Sequence, residues 1–263
     1  MFDTHSHLDG EEFHDDIDEV VARAREAGVE KIFIPNINET TVEPVRSLCQ
    51  SYPDFCYPMI GLHPEDVDPT KRDVCSVLRQ MEELLVEPHP FIAIGEIGLD
   101  FYWDETYRDL QLRVFEQQVE WGSRFHLPLM IHARSAHREL VEVMNRHRSE
   151  NLSGVFHCFT GTEEEATELL TFPNFMLGIG GVVTFKKSKL PDVLKHAVPL
   201  SRVVLETDAP YMAPVPFRGK RNESAYVAEV AKRLSEIYDL PVSEVERQTN
   251  SNVQRIFPNA FHI

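Results

Sequence analysis

Cysteine is scarce in this sequence, with four residues among 263. Cys49, Cys56, Cys75 and Cys158 form no Cys-x-x-Cys pair, so neither a disulfide framework nor a zinc site built from thiolates is indicated. We therefore interpret Cys49, Cys56 and Cys75 as reduced packing residues.

Positive charge is also scarce: 26 lysine and arginine residues stand against 43 aspartate and glutamate residues, a formal net charge of -17. This balance argues against a protein that holds nucleic acid on a broad basic surface. A nucleic-acid substrate would need local positive charge. Bound divalent metal ions can supply that charge because they engage phosphate directly.

Long apolar runs are absent from the sequence. No stretch approaches the roughly 18 residues expected of a membrane helix. The opening segment, MFDTHSHLDG, lacks the basic and apolar regions of a signal peptide. We therefore expect a cytoplasmic protein with no membrane contact. A monomer is expected, although the sequence leaves oligomers open.

Short apolar runs alternate with amphipathic stretches along the chain. The runs that indicate buried strands are FDTHSH, KIFIPN, FCYPMIGLH, FIAIGEIG, LPLMIHA, SGVFHCF, FMLGIG and RVVLETD. Apolar positions at helical spacing predict helices over 15–27, 40–50, 72–86, 107–125, 136–148, 162–171 and 190–197. Repeated strand and helix units favour an α/β fold of the (β/α)8 TIM-barrel type, with an open doubly wound sheet as the alternative.

The end of the chain predicts two extra C-terminal helices, over 223–238 and 242–256, which cover the outside or one end of the barrel. The second is expected to begin with the capping pattern SEVE at 243–246. No low-complexity linker divides the sequence, so residues 1–263 are predicted to form a single domain.

The predicted strands end in the same few residue types, which packing alone does not explain. These residues are His5, His7, His63, Glu96, His132, His157, Glu206 and Asp208. In a barrel the carboxyl ends of all strands meet on one face, so residues far apart in sequence can surround one point. Imidazole and carboxylate together suit zinc, iron or manganese, and a carboxylate can bridge two ions.

Two of these signals have an alternative interpretation. His5 and His7 lie two apart, which on a strand places both side chains on one face, but two ordinary histidines would give the same pattern. Glu96 is predicted to be buried, where an unpaired carboxylate is costly. A metal ion is its expected partner, and a salt bridge to Arg134 is the alternative.

The later strands add four candidates. Asp208 is predicted to end the last strand, bind a metal and accept a proton from the attacking water. Glu206, two residues earlier, is expected to orient a ligand histidine, with a structural ion pair as the alternative. His132 and His157 each end an apolar strand, and their repetition rather than either residue alone favours metal ligands.

Positive and aromatic residues near these strand ends predict a substrate surface. Arg134, Arg218, Lys220 and Arg221 bring charge suited to a phosphate, although solvation of a surface explains isolated charges as well. The stretch Phe-Tyr-Trp at 101–103 offers either a stacking surface for a base or a packing cluster within a loop.

Six ordered motifs resemble the TatD family of metal-dependent hydrolases, part of the amidohydrolase-like barrel group. They are DTHSHLD, GLHPEDV, IGEIGLDFYW, PLMIHAR, FHCFTGT and ETDAPYMAP followed by RGKRNES, and they span essentially the whole chain. One position departs from the family's pattern, because Asn222 and Glu223 are followed by Ser224 where the family tends to have proline. We expect this to affect a loop or a helix start, not the metal ligands.

The resemblance implies a distorted TIM barrel with a site for two divalent metal ions, for which magnesium, manganese and zinc are all candidates. One ion would be surrounded by His5, His7, Glu96 and Asp208, and the other by Glu96, His132 and His157. Glu96 would be the bridge. The implied activity is that of a deoxyribonuclease of the 3′-5′ exonuclease type, with DNA, or else RNA, as the nucleic-acid substrate.

The predicted catalytic residues are Asp208, Glu96, His63 and Glu206, with Asp208 as the base that deprotonates water. His63, Arg134 and Arg218 are predicted to bind the phosphate. Two alternatives stay open: hydrolysis of a carboxylic ester or amide such as D-aminoacyl-tRNA, and a metal-binding scaffold without turnover.

Overall fold

The computed structural model describes residues 1–86, 88–149 and 151–261, which form eight β-strands and nine α-helices. The strands are β1 (Phe2–Asp3), β2 (Lys31–Ile34), β3 (Cys56–Pro58), β4 (Ile94–Asp100), β5 (Leu129–Arg134), β6 (Gly154–Phe156), β7 (Phe175–Ile179) and β8 (Val203–Leu205). The helices are α1 (Ile17–Glu26), α2 (Val42–Ser51), α3 (Val74–Val86), α4 (Arg108–Phe125), α5 (His137–Arg146), α6 (Glu163–Leu169), α7 (Leu190–Ala197), α8 (Val227–Tyr238) and α9 (Val242–Ile256).

The parallel strands close into a barrel. β1 to β3 form one sheet and β4 to β8 form a second, each in chain order. Isolated parallel bridges join the two sheets at both seams, between Ile60 and Ile94 and between Ser6 and Ala209. The predicted distorted (β/α)8 barrel is therefore confirmed. The open doubly wound alternative is wrong, because neither sheet keeps a free edge at these seams.

The lower interior of the barrel is filled by one apolar side chain from each strand or the residues beside it. These side chains are Phe2, Phe33, Met59, Ala93, Met130, Val155, Met176 and Val204. Helix α9 covers this layer from below: Val253 and Ile256 pack on it, and the Phe33 and Phe257 rings lie 4.9 Å apart. The C-terminal helix thus closes the amino end of the barrel, and the site must lie at the carboxyl end.

The helices lie where the sequence predicts them, with ends within four residues of the predicted positions. The capping pattern predicted at 243–246 is wrong: α9 begins at Val242, because Pro241 in an extended conformation already precedes the helix. A reciprocal capping box occurs at α6 instead, between Thr162 and Glu165. None of the described helices is long and apolar enough to cross a bilayer.

The four cysteines are free. Cys49 and Cys56 are buried, as expected of packing residues. Cys75 is exposed, so its interpretation as a packing residue is wrong. It lies on the outer face of α3, whose buried positions are occupied by residues such as Val74 and Leu78.

Candidate metal centre

The predicted site residues converge because the inward face of a strand repeats every two residues. Met130 and Val155 fill the barrel interior, so His132 and His157, two residues further along, lie on the same inward side. Both histidines contact Glu96, which is itself buried within β4. Apolar packing below the site thus places the ligand candidates above it.

His5 and His7 do not lie on a strand, contrary to the prediction, because β1 ends at Asp3. Beyond that point the chain is held by the segment after β8, where the backbone N–H of His7 donates to the carbonyl of Ala209 at 2.8 Å. The Nε2 atoms of His5 and His7 nevertheless lie 3.1 Å apart. The pair presents two ring nitrogens to one point, as chelation of an ion requires.

Glu96 lies at the centre of the cluster, and its two carboxylate oxygens face different histidines. Its Oε2 is 3.1 Å from Nε2 of His5 and 3.5 Å from Nε2 of His7. Its Oε1 is 3.0 Å from Nδ1 of His132 and 3.6 Å from Nε2 of His157. One carboxylate therefore stands between two sets of imidazoles, an arrangement suited to a bridging ligand.

Asp208 lies three residues beyond the end of β8, in the left-handed region with φ of 57°, and not on the strand as predicted. Aspartate tolerates this conformation better than most residues. Its backbone N–H donates to the carbonyl of His5 at 2.9 Å. Its Oδ1 is 3.6 Å from Nε2 of His7 and 3.8 Å from Nε2 of His5. Asp208 therefore joins the set that faces Oε2 of Glu96.

Two further carboxylates contact the histidines from behind. Oδ2 of Asp100 is 3.0 Å from Nε2 of His132, and Oε1 of Glu206 is 3.2 Å from Nδ1 of His157. A neutral imidazole whose N–H is directed at a carboxylate keeps a lone pair on its other nitrogen. For His132 the lone pair then lies on Nδ1, which faces Oε1 of Glu96. Nδ1 of His157 lies close to Glu206 without a hydrogen bond to it, and its Nε2 faces Oε1 of Glu96.

His63 also faces the cluster, with Nε2 3.4 Å from Oε1 of Glu96, but its hydrogen bonding differs. Its Nδ1 accepts from the backbone N–H of Glu65 at 3.2 Å. The proton of the neutral ring therefore lies on Nε2. An N–H directed into the site is a hydrogen-bond donor and not a metal ligand, so the geometry suits contact with a substrate oxygen.

The buried carboxylates make the cluster attractive to positive charge. Burial opposes ionisation of Glu96, but the surrounding imidazoles outweigh burial and hold its pKa well below its usual value. Burial alone would lower the pKa of His132 and His157, yet the neighbouring carboxylates raise it to about 9 and about 10 respectively. Burial raises the pKa of Asp208 to about 7. The cluster therefore gathers cationic charge, which protons or metal ions can supply.

Residues 2–258 match the sequence profile of TatD related DNases. The chain belongs to the TatD-related DNase family. A relative from Bacillus subtilis, named an uncharacterized metal-dependent hydrolase, is 38% identical over 98% of both chains. A protein of Pantoea ananatis named 3′-5′ ssDNA/RNA exonuclease TatD is 31% identical over 98% of this chain and 99% of its own. The crystal structure of a TatD homolog from Escherichia coli K12 matches with a TM-score of 0.90, 31% identity and coverage of 98% of both chains.

The TatD family consists of metal-dependent hydrolases, and the residues of this chain fit metal ions. Possible ligand atoms lie within 4.8 Å of one another in the groups His5–His7–Asp208 and His5–Glu96–His157. These atoms are imidazole nitrogens and carboxylate oxygens, the donors expected for zinc or manganese, while carboxylates also suit magnesium. The protein is a metal-dependent hydrolase with a candidate metal-binding cluster at the carboxyl end of its barrel.

Arg134 lies beside this TatD-family cluster, at the end of β5. It pairs with Asp100 in the register of β4 and β5. Its guanidinium carbon lies 3.8 Å from the centre of the Tyr102 ring. Among the contacts of the described residues there is no salt bridge between Arg134 and Glu96, so the predicted alternative for Glu96 is wrong. The guanidinium stacks on an aromatic ring instead.

The other predicted cations lie further along the chain. Arg218 is exposed, with its guanidinium carbon 3.6 Å from the centre of the Phe185 ring. Within the described part of the chain, Arg218 makes no contact with the residues of the cluster. Lys220 is exposed as well. Arg221 is bound by Asp16 through two hydrogen bonds of 2.7 Å, so its charge fastens its loop to the start of α1.

Two residues that hold the segment before Asp208 in place were not predicted from the sequence. Asp3 is buried, and its carboxylate accepts from the backbone N–H of Thr207 at 2.9 Å and from the Thr207 hydroxyl at 2.6 Å. Asn222 donates its amide N–H groups to the carbonyls of Thr207 at 2.8 Å and Tyr211 at 2.6 Å. The signal for Asn222 was its place in the RGKRNES motif, which the sequence alone does not connect to Asp208.

Asp100, Cys158 and Ser224 complete the residues around the site. Asp100 contacts His132 but was not predicted, because a carboxylate after a strand looks like an ordinary loop residue. Cys158 lies in a further candidate ligand group with His157. Ser224, the departure from the family's pattern, opens a short 3-10 helix as expected, and its hydroxyl lies 3.3 Å from that of Ser6.

Proposed function

We propose that this TatD-family hydrolase is a 3′-5′ exonuclease that cleaves phosphodiester bonds of single-stranded DNA, with RNA as a second candidate substrate. The proposal draws its substrate from the Pantoea ananatis relative and its chemistry from the cluster. The observation that carries it is that the two carboxylate oxygens of Glu96 face different histidines. Oε2 faces His5 and His7, and Oε1 faces His132 and His157.

We propose that the cluster holds two divalent ions, with magnesium, manganese and zinc as candidates. The two ligand sets would be His5, His7, Glu96 and Asp208 on one side, and Glu96, His132 and His157 on the other. When bound, such ions polarise a phosphoryl oxygen and make water acidic enough to attack at neutral pH. Glu206 and Asp100 act as positioning residues, because they contact the ring nitrogens that face away from Glu96.

The side chains around the proposed ions have separate roles in proton transfer and phosphate binding. Oδ1 of Asp208 faces the imidazoles, which leaves Oδ2 to accept the proton of the attacking water. The N–H on Nε2 of His63 donates to a phosphate oxygen, and the guanidinium of Arg134 supplies a second donor beside the site. Arg218 is a weaker candidate than Arg134 for a phosphate contact, because its side chain is exposed and its guanidinium stacks on Phe185.

The donors around the cluster favour phosphate over the carbonyl group of an ester or amide. A phosphodiester brings a negative charge, which the Arg134 guanidinium and the His63 N–H both complement. The scissile ester of D-aminoacyl-tRNA is itself uncharged, so in that substrate these donors would serve only the neighbouring phosphates.

The test strips the protein of metal, adds back magnesium, manganese or zinc separately, and follows a single-stranded DNA labelled at its 5′ end. We expect stepwise shortening from the 3′ end that requires metal and disappears in Asp208→Asn. Asp104→Asn, a change of an exposed aspartate in the loop after β4, serves as the control and should cleave as the wild type does. Equal cleavage by Asp208→Asn, or no cleavage with any metal, would contradict the proposal.

The monomeric state and the cytoplasmic location expected from the sequence stay predictions. Sedimentation of the purified, metal-loaded protein at several concentrations tests the first of them.

A further inference from the structure

We propose that Tyr102, Trp103 and Arg134 form a stacking platform, which binds one nucleobase of the substrate and its neighbouring phosphate beside the metal centre. The inference rests on the proposed nuclease function and adds to it the part of the protein that recognises the nucleotide. It also makes unpaired bases, and hence a single strand, the preferred form of substrate, because a base in a duplex already stacks on its neighbours.

The aromatic stretch at 101–103 divides into a packing residue and two surface residues. Phe101 is 8% exposed and belongs to the hydrophobic core. Tyr102 and Trp103 are 53% and 72% exposed, and their rings meet edge to face with centroids 4.7 Å apart. Large aromatic rings left this open to water offer apolar faces that a planar ligand can cover.

Arg134 completes the platform with a positive charge. Its guanidinium carbon lies 3.8 Å from the centre of the Tyr102 ring and 5.2 Å from that of Trp103. A guanidinium held over aromatic faces keeps its N–H groups available at the edge, where they can bind a phosphate oxygen. Two rings and one cation match the two parts of a nucleotide, a flat base and an anionic phosphate.

Asp100 connects the platform to the metal centre. Its Oδ2 lies 3.0 Å from Nε2 of His132, and its Oδ1 accepts from the backbone N–H of Tyr102 at 2.9 Å. The residue that orients a proposed ligand therefore also fixes the start of the platform. A base bound there would lie close to the phosphate that the centre cleaves.

The net charge of -17 gives stacking a role in affinity. A protein with so much negative charge repels a polyanion at long range, so stacking adds affinity that the overall charge of the protein does not supply. Stacking of bases on aromatic rings is nearly independent of sequence and charge. It suits an exonuclease that must accept each base in turn.

The kinetic test uses the full-length, metal-loaded protein and two matched substrates. One is a hexamer of thymidylate, and the other has the same phosphates but abasic sugars. In Trp103→Ala we expect the ratio of kcat/KM for the thymidylate over the abasic oligomer to fall about 10-fold, mainly through a higher KM. Trp103→Phe should recover most of the ratio, because it restores an aromatic face.

The control is Leu240→Ala, which shortens an exposed apolar side chain in the loop between α8 and α9. Its ratio should equal that of the wild type. An unchanged ratio in Trp103→Ala would overturn the platform while leaving the nuclease proposal intact.

Fluorescence gives a second test that does not depend on turnover. The chain has two tryptophans, and Trp121 is 2% exposed, so Trp103 dominates the emission that acrylamide can quench. Adding a phosphorothioate thymidylate hexamer to the metal-loaded protein should protect Trp103 from acrylamide, whereas the abasic phosphorothioate should protect it little. If neither of the two phosphodiester oligomers of the kinetic test is cleaved, the nuclease proposal fails, and the protection measured with the phosphorothioates then decides the platform alone. Equal protection by both oligomers, or none by either, would overturn the platform.

Discussion

At the scale of single residues, a carboxylate lies behind each of two candidate ligands, beside the ring nitrogen that faces away from Glu96. Asp100 contacts Nε2 of His132, and Glu206 contacts Nδ1 of His157. The two rings therefore direct opposite nitrogens at the same oxygen of Glu96. Carboxylates in this position fix the tautomer and orientation of a ligand histidine and raise its basicity. We infer that both are needed for metal affinity although neither would bind the metal.

Replacing Asp100 with Asn tests this role. The amide keeps an oxygen for the N–H of Tyr102 but can turn an N–H₂ group towards Nε2 of His132, which favours the wrong tautomer. We expect metal affinity and activity to fall about 10- to 100-fold, measured by titration calorimetry and by cleavage of single-stranded DNA. Asp104→Asn, in the loop that follows β4, is the control. Wild-type affinity in Asp100→Asn would refute the role.

Gly178 makes room for Glu206, and this gives a second prediction. A Cβ atom at position 178 would lie 2.1 Å from Oε2 of Glu206, whereas one at Gly180 would meet nothing closer than 3.5 Å. Gly178→Ala should displace the carboxylate, weaken metal binding and cost about 1–3 kcal/mol of stability. Gly180→Ala should behave as the wild type in the same thermal unfolding and metal titrations. Equal behaviour of the two variants would show that Glu206 can move at no cost.

At the scale of elements, helix α4 braces the segment after β3 and the end of β4 from outside the barrel. Its buried Gln118 accepts from the backbone N–H of Leu62 at 2.7 Å and donates to the same residue's carbonyl at 3.1 Å. Gln111, two turns earlier, makes the same pair of bonds to Asp100, at 3.0 and 3.1 Å. The helix thereby fixes the backbone next to His63 and at Asp100, both of which border the centre.

Gln118→Leu should destabilise the protein by about 2 kcal/mol. Leucine has a similar volume but leaves the N–H and carbonyl of Leu62 buried without partners, and each unsatisfied group costs about 1–3 kcal/mol. The measurement is the free energy of unfolding in urea. Gln117→Leu, at a half-buried neighbouring position of α4, serves as the control. If the free energy of unfolding falls no more than in that control, the two hydrogen bonds of Gln118 do not stabilise the protein.

Element positions were predictable from the sequence to a greater extent than the exact ends of the strands. Helices follow from apolar spacing over many residues, and residues 190–197 and 242–256 coincide with α7 and α9. β1 and β8 are short because their pairing ends where the chain turns into the site, and nothing local marks that point. His5, His7 and Asp208 therefore reach the centre from loops. The convergence itself could be predicted, because a barrel gathers the carboxyl ends of its strands.

The whole molecule joins a barrel closed at its amino end by α9 to a charged cluster at its carboxyl end. Contacts between distant segments, such as that of Asn222 with Thr207, could not be predicted because they depend on how the chain closes. The cluster concentrates several carboxylates in a buried region, which is costly without compensating positive charge. Bound metal would thus stabilise the entire domain.

Metal removal should lower the melting temperature. At a metal concentration 100 times Kd, binding adds about 2.7 kcal/mol of stability, or roughly 5–10 °C for a domain of this size. Calorimetry of the stripped and reloaded protein measures the shift. In Glu96→Gln the shift should largely disappear, since both ligand sets lose their shared carboxylate. A shift of wild-type size in that variant would place the bound metal elsewhere.

The central claim is that the two oxygens of Glu96 face two separate metal positions. Its most direct test is a crystal structure of the wild-type protein grown with manganese, with anomalous scattering recorded to locate the ions. We predict two anomalous peaks, one beside Oε2 with His5, His7 and Asp208, and one beside Oε1 with His132 and His157. A single peak, or peaks away from Glu96, would contradict the account.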